Sequence, residues 1–541
     1  MVVTMKIRSD ILRTYQSIHT WTGITTGLVL FIAFYAGSLT LFKPQITQWA
    51  TPSSAYLNHT PAIELDNLIT QAMEEFPEVS EGFIVNLEQD ASSLSWYEKG
   101  GGRGLRLDDE LKHAAFDQNN NLVTQVSDQN KLGALIDKLH RTAGIPGTLG
   151  HEDIGVLILG VAAGLYFIAL ISGVIILLPT LVKYLLALRT HKGNKRFWLD
   201  SHNVVGVLSL PFHIIIAWTA FVFAFHDPFY GGLTVVYGDK PLFAQQEKSE
   251  ITHPISELHS IETYINKANA IAPDHQVSRL EFSKLSSTSP TLAIQLASSG
   301  RIQRGAYSDV LYLHPYTLEQ GYTSISQPED GIFGPMVNSF VSLHFGNYAG
   351  NYGRWMYFAL GLMGAFLFYS GNLLWLEKRR QKQAIQLRSI RIMSSLTIGV
   401  CVGSMLGVAI TMLASKWLYL LSLPINNYYL SCYYSLFFIA LGYSFYRGAA
   451  LAAIHLLYVL AAACLLIPLT SILFSTLSTA TLAFDGNTAI VDVIAFIFAI
   501  VFFSAAKKAK YRAYHGEPDS IWAITTTTSN NAIAPVPQSA N

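Results

Sequence analysis

His19-Thr-Trp-Thr-Gly23 opens one long apolar run, and His202-Asn-Val-Val-Gly206 opens another in the same way. A second pair follows in the same order. Leu139-His140 precedes Gly144, Gly147 and Gly150, and Leu343-His344 precedes Gly346, Gly350 and Gly353, each leading into an apolar run of its own. Packing alone does not explain a histidine at the mouth of four membrane helices, duplicated in order. Imidazole is the commonest metal ligand, and ionisable groups near a bilayer are costly enough to need a functional reason. The repeat points to a membrane bundle that holds haem iron between its helices.

Composition agrees with a membrane protein. Of 541 residues, 51% are hydrophobic and 13% charged, with several long apolar runs, the profile of a multi-span chain. The formal net charge is zero, so no basic field argues for nucleic acid. Cys401, Cys432 and Cys464 lie in or beside apolar runs and form no CxxC pair, which argues against disulfides, zinc and thiolate iron–sulfur ligation. Lys6, Arg8 and Arg13 precede a run longer than the core of a cleaved signal, so an uncleaved first span is expected.

About eight spans of roughly 20 residues are expected. They fall near 20–42, 153–178, 203–225, 354–376, 393–415, 428–446, 450–474 and 488–505. Lysine and arginine cluster in 183–196, in 377–391 and after the last span. With an even count these clusters and the N-terminus share one side, which the positive-inside rule makes the cytoplasm. The division expected is 1–42 (N-terminus and first span), 43–152 (first periplasmic domain), 153–225 (second span, loop and third span), 226–353 (second periplasmic domain), 354–380 (fourth span), 381–510 (a four-span extension) and 511–541 (a disordered cytoplasmic tail).

The two outer segments are alike. The first carries a helical pattern over 63–73, then strand-like pieces at 82–87, 94–97 and 113–116. The second carries a helical pattern over 255–268, then strands near 277–282, 291–296 and 310–313. Span, small α+β domain and span then occur twice in the same sense, a parallel duplication. The expected fold class is an all-α polytopic membrane protein with a duplicated four-helix haem-binding core and two small α+β periplasmic domains.

If the halves pack about a pseudo-two-fold axis, His19 and His202 face each other near the cytoplasmic side, and two neutral imidazoles are the ligand set of a b-type haem. Glycine at i+4 (Gly23, Gly206) lies on the same helix face and leaves room for a flat macrocycle. His140 and His344 form an outer pair by the same argument, with Arg141 and Arg354 as partners for propionates. His151 competes with His140, whose Leu-His context recurs at 343–344. His213 lies 11 residues after His202, about 16 Å further along the axis, and either ligates the outer haem in place of a mouth histidine or bonds a propionate. His113, His253, His259, His275 and His314 show no ligand spacing and read as surface residues. His455, alone in a span, reads as packing or a helix–helix hydrogen bond. Gly100-Gly-Gly-Arg-Gly104 opens no helix and is a flexible loop. No dinucleotide fingerprint, Walker motif or Ser/His/Asp order occurs, so electrons must come from a separate donor, a quinol or a cytoplasmic reductase.

His19-Thr-Trp-Thr-Gly23, Leu139-His-Arg141, Ser201-His-Asn-Val-Val-Gly206 with Leu210-Pro-Phe-His213, and Leu343-His-Phe-Gly346 together resemble the PepSY-associated transmembrane helix family. Ser172-Gly173 and Ser370-Gly371-Asn-Leu-Leu-Trp375 also look like its span ends. The resemblance covers about residues 10–380. It implies an inner-membrane protein with periplasmic PepSY domains, linked to iron uptake, whose FoxB-like members are haem-containing reductases of ferric siderophores. Carried over, it implies His19, His202, His140 and His344 as haem ligands, with His213 a further position.

The function expected is therefore a di-haem b oxidoreductase. It would pass electrons across the cytoplasmic membrane to a periplasmic ferric chelate, such as a ferric siderophore. The rivals are a PepSY-type regulatory scaffold with merely interfacial histidines, and a transporter of an iron chelate.

Overall fold

The computed structural model describes residues 7–51, 57, 59–88, 92–99, 107, 109–126, 130–150, 152–181, 187–189, 194–238, 251–298, 302–305, 308–325, 331–380, 386–421, 423–476 and 488–524. His151, the Gly100–Gly104 run and the tail from 525 lie outside them. The helices run α1 (Ser9–Thr40), α2 (Lys43–Ala50), α3 (Leu65–Glu75), α4 (Leu132–Thr142), α5 (Ile154–Leu177), α6 (Asn194–Leu208), α7 (Leu210–Tyr237), α8 (Ile261–Ile271), α9 (Phe333–Phe345), α10 (Gly350–Arg379), α11 (Arg388–Leu420), α12 (Tyr429–Arg447), α13 (Ala449–Thr476) and α14 (Ala489–His515).

Among the described residues, seven of these are long and apolar enough to cross a bilayer: α1, α5, α7, α10, α11, α13 and α14. The eighth span expected, 428–446, is α12, whose five tyrosines leave it short of that apolarity. Two span boundaries also differ from expectation. α1 begins at Ser9, so His19 stands about three turns inside it rather than at the mouth of a span that opens near residue 20. The third span begins at Leu210 instead of 203, because Pro211 has no N–H to bond the preceding turn and the helix is interrupted at Ser209. His202 therefore stands on α6, just before the span.

α1 is the central helix of the core, packed against α4, α5 and α10. Its approach to α10 is close: a Cβ at Gly361 or Gly364 would run into Ser38 or Phe34 of α1, so small residues set that interface. α11 to α14 form a second bundle beside it. The segment after α14 is not wholly a tail. Arg380 pairs with Glu517, Gln386 Nε2 donates to the Asp519 carbonyl at 2.9 Å, and Trp522 is buried. Residues 511–524 are thus folded against the start of the extension.

The strands are β1 (Gly82–Asn86), β2 (Leu94–Lys99), β3 (Glu110–Phe116), β4 (Leu122–Val126), β5 (Thr148–Leu149), β6 (Glu152–Asp153), β7 (Gln276–Ser283), β8 (Thr291–Ala297), β9 (Asp309–Leu313) and β10 (Gln320–Thr323). Among the described residues β5 pairs with β6 alone. The other eight form a single sheet in the order β10-β9-β8-β7-β1-β2-β3-β4. The two outer segments therefore do not fold apart as two domains. β1 pairs antiparallel with β7 from Gly82↔Ser283 to Asn86↔Arg279, and Phe83 stacks on Phe282 at 4.4 Å. One apolar core holds Leu68, Leu94 and Trp96 of the first segment with Tyr264, Leu280 and Leu292 of the second. Asp66 of α3 accepts the Ile261 N–H of α8 at 2.9 Å. Each half-sheet alone would expose its edge strand, β1 or β7, and pairing the two edges removes both.

Two soluble-segment histidines expected at the surface, His113 and His275, are buried instead. His275 faces Asp309 at 3.5 Å. Among the described residues neither ring nitrogen of His113 has a partner, and burial pushes its pKa down to about 4. An unfolded histidine titrates near 6.5. Above that value both states are neutral. As pH falls from 6.5 toward 4, the unfolded chain binds a proton that the folded sheet refuses, so stability is lost across that window, by about 3 kcal/mol. Thermal unfolding measured from pH 7 to pH 4 tests this. His113→Leu is expected to flatten the dependence, and an unaltered slope in that variant would refute the assignment.

Candidate cofactor site: two histidine pairs

The duplication brings the four mouth histidines together two by two. His19 of α1 faces His202 of α6 with ring centroids 6.4 Å apart and ring planes at 82°. His140 of α4 faces His344 of α9 with centroids also 6.4 Å apart and planes at 41°. The pairs are well separated. His140 meets α1 at Ala33, 14 residues beyond His19, or about 21 Å along the axis.

In every one of these rings Nδ1 is engaged. His19 Nδ1 lies 2.8 Å from the Ala169 carbonyl, and His140 Nδ1 lies 2.9 Å from the Ala33 carbonyl. A carbonyl can only accept, so both nitrogens carry the proton. His202 Nδ1 lies 2.9 Å from Ser370 Oγ, and His344 Nδ1 lies 2.7 Å from Thr219 Oγ1. These hydroxyls spend their own hydrogens on helix carbonyls, Ser370 on Leu367 at 3.1 Å and Thr219 on Ile215 at 2.7 Å. Each hydroxyl is then free to accept from its imidazole. His19 and His140 are the Nδ1–H tautomer, and with His202 and His344 in the same form every ring keeps its Nε2 lone pair for another partner.

The supports obey the duplication. His19 leans on α5 and His202 on α10, while His140 leans on α1 and His344 on α7. The serine–glycine span ends matter here. Ser370 holds His202, and Gly371 stands where a Cβ would be 3.6 Å from the His202 ring; at Gly173 a Cβ would be 3.1 Å from the His19 ring. Ser172 differs, turning its hydroxyl to the carbonyls of Ile168 and Ala169.

The spacing suits a shared metal. Two imidazoles bound through Nε2 to one ion, at about 2 Å per bond, hold their centroids roughly 6 Å apart. A bare ion would want further ligands, and among the described residues no group of three or more His, Cys, Asp or Glu side chains gathers to hold one. A haem, whose ring already ligates the iron, needs only two axial imidazoles, so these residues fit that group.

His140 and His344 also line a cavity of about 1540 Å³, with Arg141, Arg354 and Tyr357. That exceeds the roughly 300–1,000 Å³ of ordinary ligand pockets. Arg141 is exposed at its wall and Arg354 is half-buried.

His213 joins neither pair. It is fully buried on α7, between the levels of His202 and Thr219, and its ring packs against Phe212 at 5.2 Å, Phe34 at 5.6 Å and Tyr166 at 6.0 Å. Among the described residues neither of its ring nitrogens has a partner, and the Tyr166 hydroxyl has none. His455 Nδ1 meets the Tyr443 hydroxyl at 2.5 Å, the helix–helix contact expected for it.

Thr219 and Ser370 make histidine contacts that no motif announced, Ser370 entering only as a span end. Their signal was a hydroxyl inside an otherwise apolar run, Ile214-Ile-Ile-Ala-Trp-Thr-Ala220 for the first. No curated protein matches the chain. Residues 16–378, which contain all four paired histidines, match the PepSY-associated TM region, and the chain belongs to that family.

Proposed function

We propose that this multi-pass membrane protein is a di-haem b oxidoreductase that passes electrons across the cytoplasmic membrane to a periplasmic ferric chelate. One observation carries the reading: four histidines, from duplicated halves, meet as two pairs with every Nδ1 occupied and every Nε2 left open. Bound haem b would supply a one-electron Fe(III)/Fe(II) couple.

The chain's own residues do the rest. His19 and His202 would hold the group nearer the N-terminal, cytoplasmic side, and His140 and His344 the group nearer the outer side. Ala169, Ser370, Ala33 and Thr219 fix the tautomers and the ring orientations, as supports behind metal-bound histidines do. Arg141 and Arg354 would neutralise the carboxylates of the outer group. Two sites about 21 Å apart along α1 divide the low-dielectric crossing into steps. The cavity beside the second pair is where a chelate would approach. Hard oxygen donors suit Fe(III), and a single electron weakens their hold, so no general base is required. The donor on the inner side is a quinol or a cytoplasmic reductase.

Purified protein from haem-replete cells is expected to be red, with two haems per chain. Its reduced spectrum should be that of bis-histidine b haem, and ferric chelates should reoxidise it. A colourless preparation would sink this reading and leave the regulatory scaffold. Chelate uptake into vesicles with no change in the haem spectrum would favour the transporter.

A further inference from the structure

The extension α11–α14 lies outside the family match, which ends at residue 378, yet it reaches the second histidine pair. It grips α4, the helix that carries His140, at both ends. Before α4, the Lys131 N–H donates to Asn426 Oδ1 at 2.9 Å and the Tyr429 hydroxyl donates to Asn130 Oδ1. After α4, the Tyr434 hydroxyl donates to the Gly144 carbonyl at 3.0 Å. A third attachment is buried. Lys416 Nζ donates to Ser471 Oγ at 2.8 Å, Ser471 donates to Asp492 at 2.9 Å, and Trp49 Nε1 donates to the same carboxylate at 3.1 Å. This last network ties α2, which packs on α4, to α11, α13 and α14.

The other copy is held differently. α9, which carries His344, packs on α7, and its Leu343 carbonyl accepts the Tyr357 hydroxyl at 2.6 Å. The extension thus breaks the two-fold symmetry on one side of the site. The same segment that grips α4 also faces the cavity, through Asn427 and Leu430. The formal charges of the lining balance, Lys43, Lys138, Arg141 and Arg354 against Asp137, Glu152, Asp153 and Asp227, but the guanidiniums of Arg141 and Arg354 have no carboxylate partner among the described residues, and Asn427 adds amide donors. Such a wall suits an oxygen-rich anionic ligand.

We propose that the extension is the specificity element of the outer site, with Asn427 and Leu430 forming the wall that decides which anionic, oxygen-donor chelate fits beside His140 and His344. This rests on the reading of the cavity as the place where a chelate binds. It asks nothing of electron transfer, which separates its test from that of the oxidoreductase.

The test is equilibrium dialysis of the full-length protein against gallium(III) complexes of citrate and of a tricatecholate, since gallium(III) is not reduced here. Asn427→Asp is expected to weaken binding of the tricatecholate about tenfold by placing a like charge on the wall. Leu430→Trp is expected to exclude the bulky tricatecholate while keeping citrate binding within about twofold of wild type. Both variants should retain wild-type haem content. Equal binding of both chelates by wild type and both variants would overturn the inference, as would a wild type that binds neither. A colourless protein that still shows these shifts would overturn the haem reading and leave this one standing. A red protein without them would do the reverse.

Discussion

His202→Ala is expected to halve the haem content and leave the remaining spectrum that of a bis-histidine site. The two pairs share no ligand and meet α1 about 21 Å apart, so losing one ring from the first pair leaves the second intact. His19→Ala should give the same half-loss, and His140→Ala and His344→Ala should each remove the other half. His19→Ala combined with His140→Ala should leave no haem. His213→Ala should keep both, because its ring is packed among Phe34, Tyr166 and Phe212 and belongs to neither pair. The haem content of each purified variant, measured after extraction, decides the matter. Loss of both haems from a single first-pair variant that is otherwise folded would contradict independent sites.

The second large effect concerns residues that touch no cofactor. Ser370→Ala and Thr219→Val each remove the acceptor of an Nδ1–H, from His202 and His344 respectively. The ring is then free to rotate or to move its proton to Nε2, the nitrogen that must stay bare. Removing such a support behind a metal-bound histidine costs about 10- to 100-fold in affinity. Ser370→Ala should speed haem loss from the first site alone, and Thr219→Val from the second alone, as followed by transfer to a haem-scavenging apoprotein. Thr397→Val is the control, because that buried hydroxyl of α11 donates to the Met393 carbonyl of its own helix. Wild-type dissociation rates in both variants would separate the hydroxyls from the site.

Much of the candidate site was legible because duplication made it so. A single His140 could be dismissed as an interfacial residue, but Leu139-His140 and Leu343-His344 in matching places could not. The supports of His19 and His140 were not legible, because a backbone carbonyl carries no residue signature and only the packing of α5 and α1 selects Ala169 and Ala33. In sequence His202 opens a span, because apolarity runs on through residues 203–225, whereas Pro211 resets the helix start by chain geometry. Most strands were visible from alternation. Their union was not, because β1 and β7 are nearly 200 positions apart and a lone edge looks the same in sequence whether solvent or another strand covers it. His113 and His275 carry no mark of burial either, since ligand spacing says nothing about which face of a sheet is covered. The grip of the extension on α4 depends on Asn426, Tyr429 and Tyr434, which in sequence are indistinguishable from ordinary interfacial residues.

The ladder between β1 and β7 also bears on motion. A rocker-switch carrier built from parallel repeats works by tilting one repeat against the other until each mouth opens in turn. Here the repeats are laced together outside the bilayer through five residue positions, with a common apolar interior beneath. Splaying that mouth would mean unzipping the lacing and wetting the interior on every cycle. A rigid frame that keeps its openings fixed while only charge travels is what such a clasp favours.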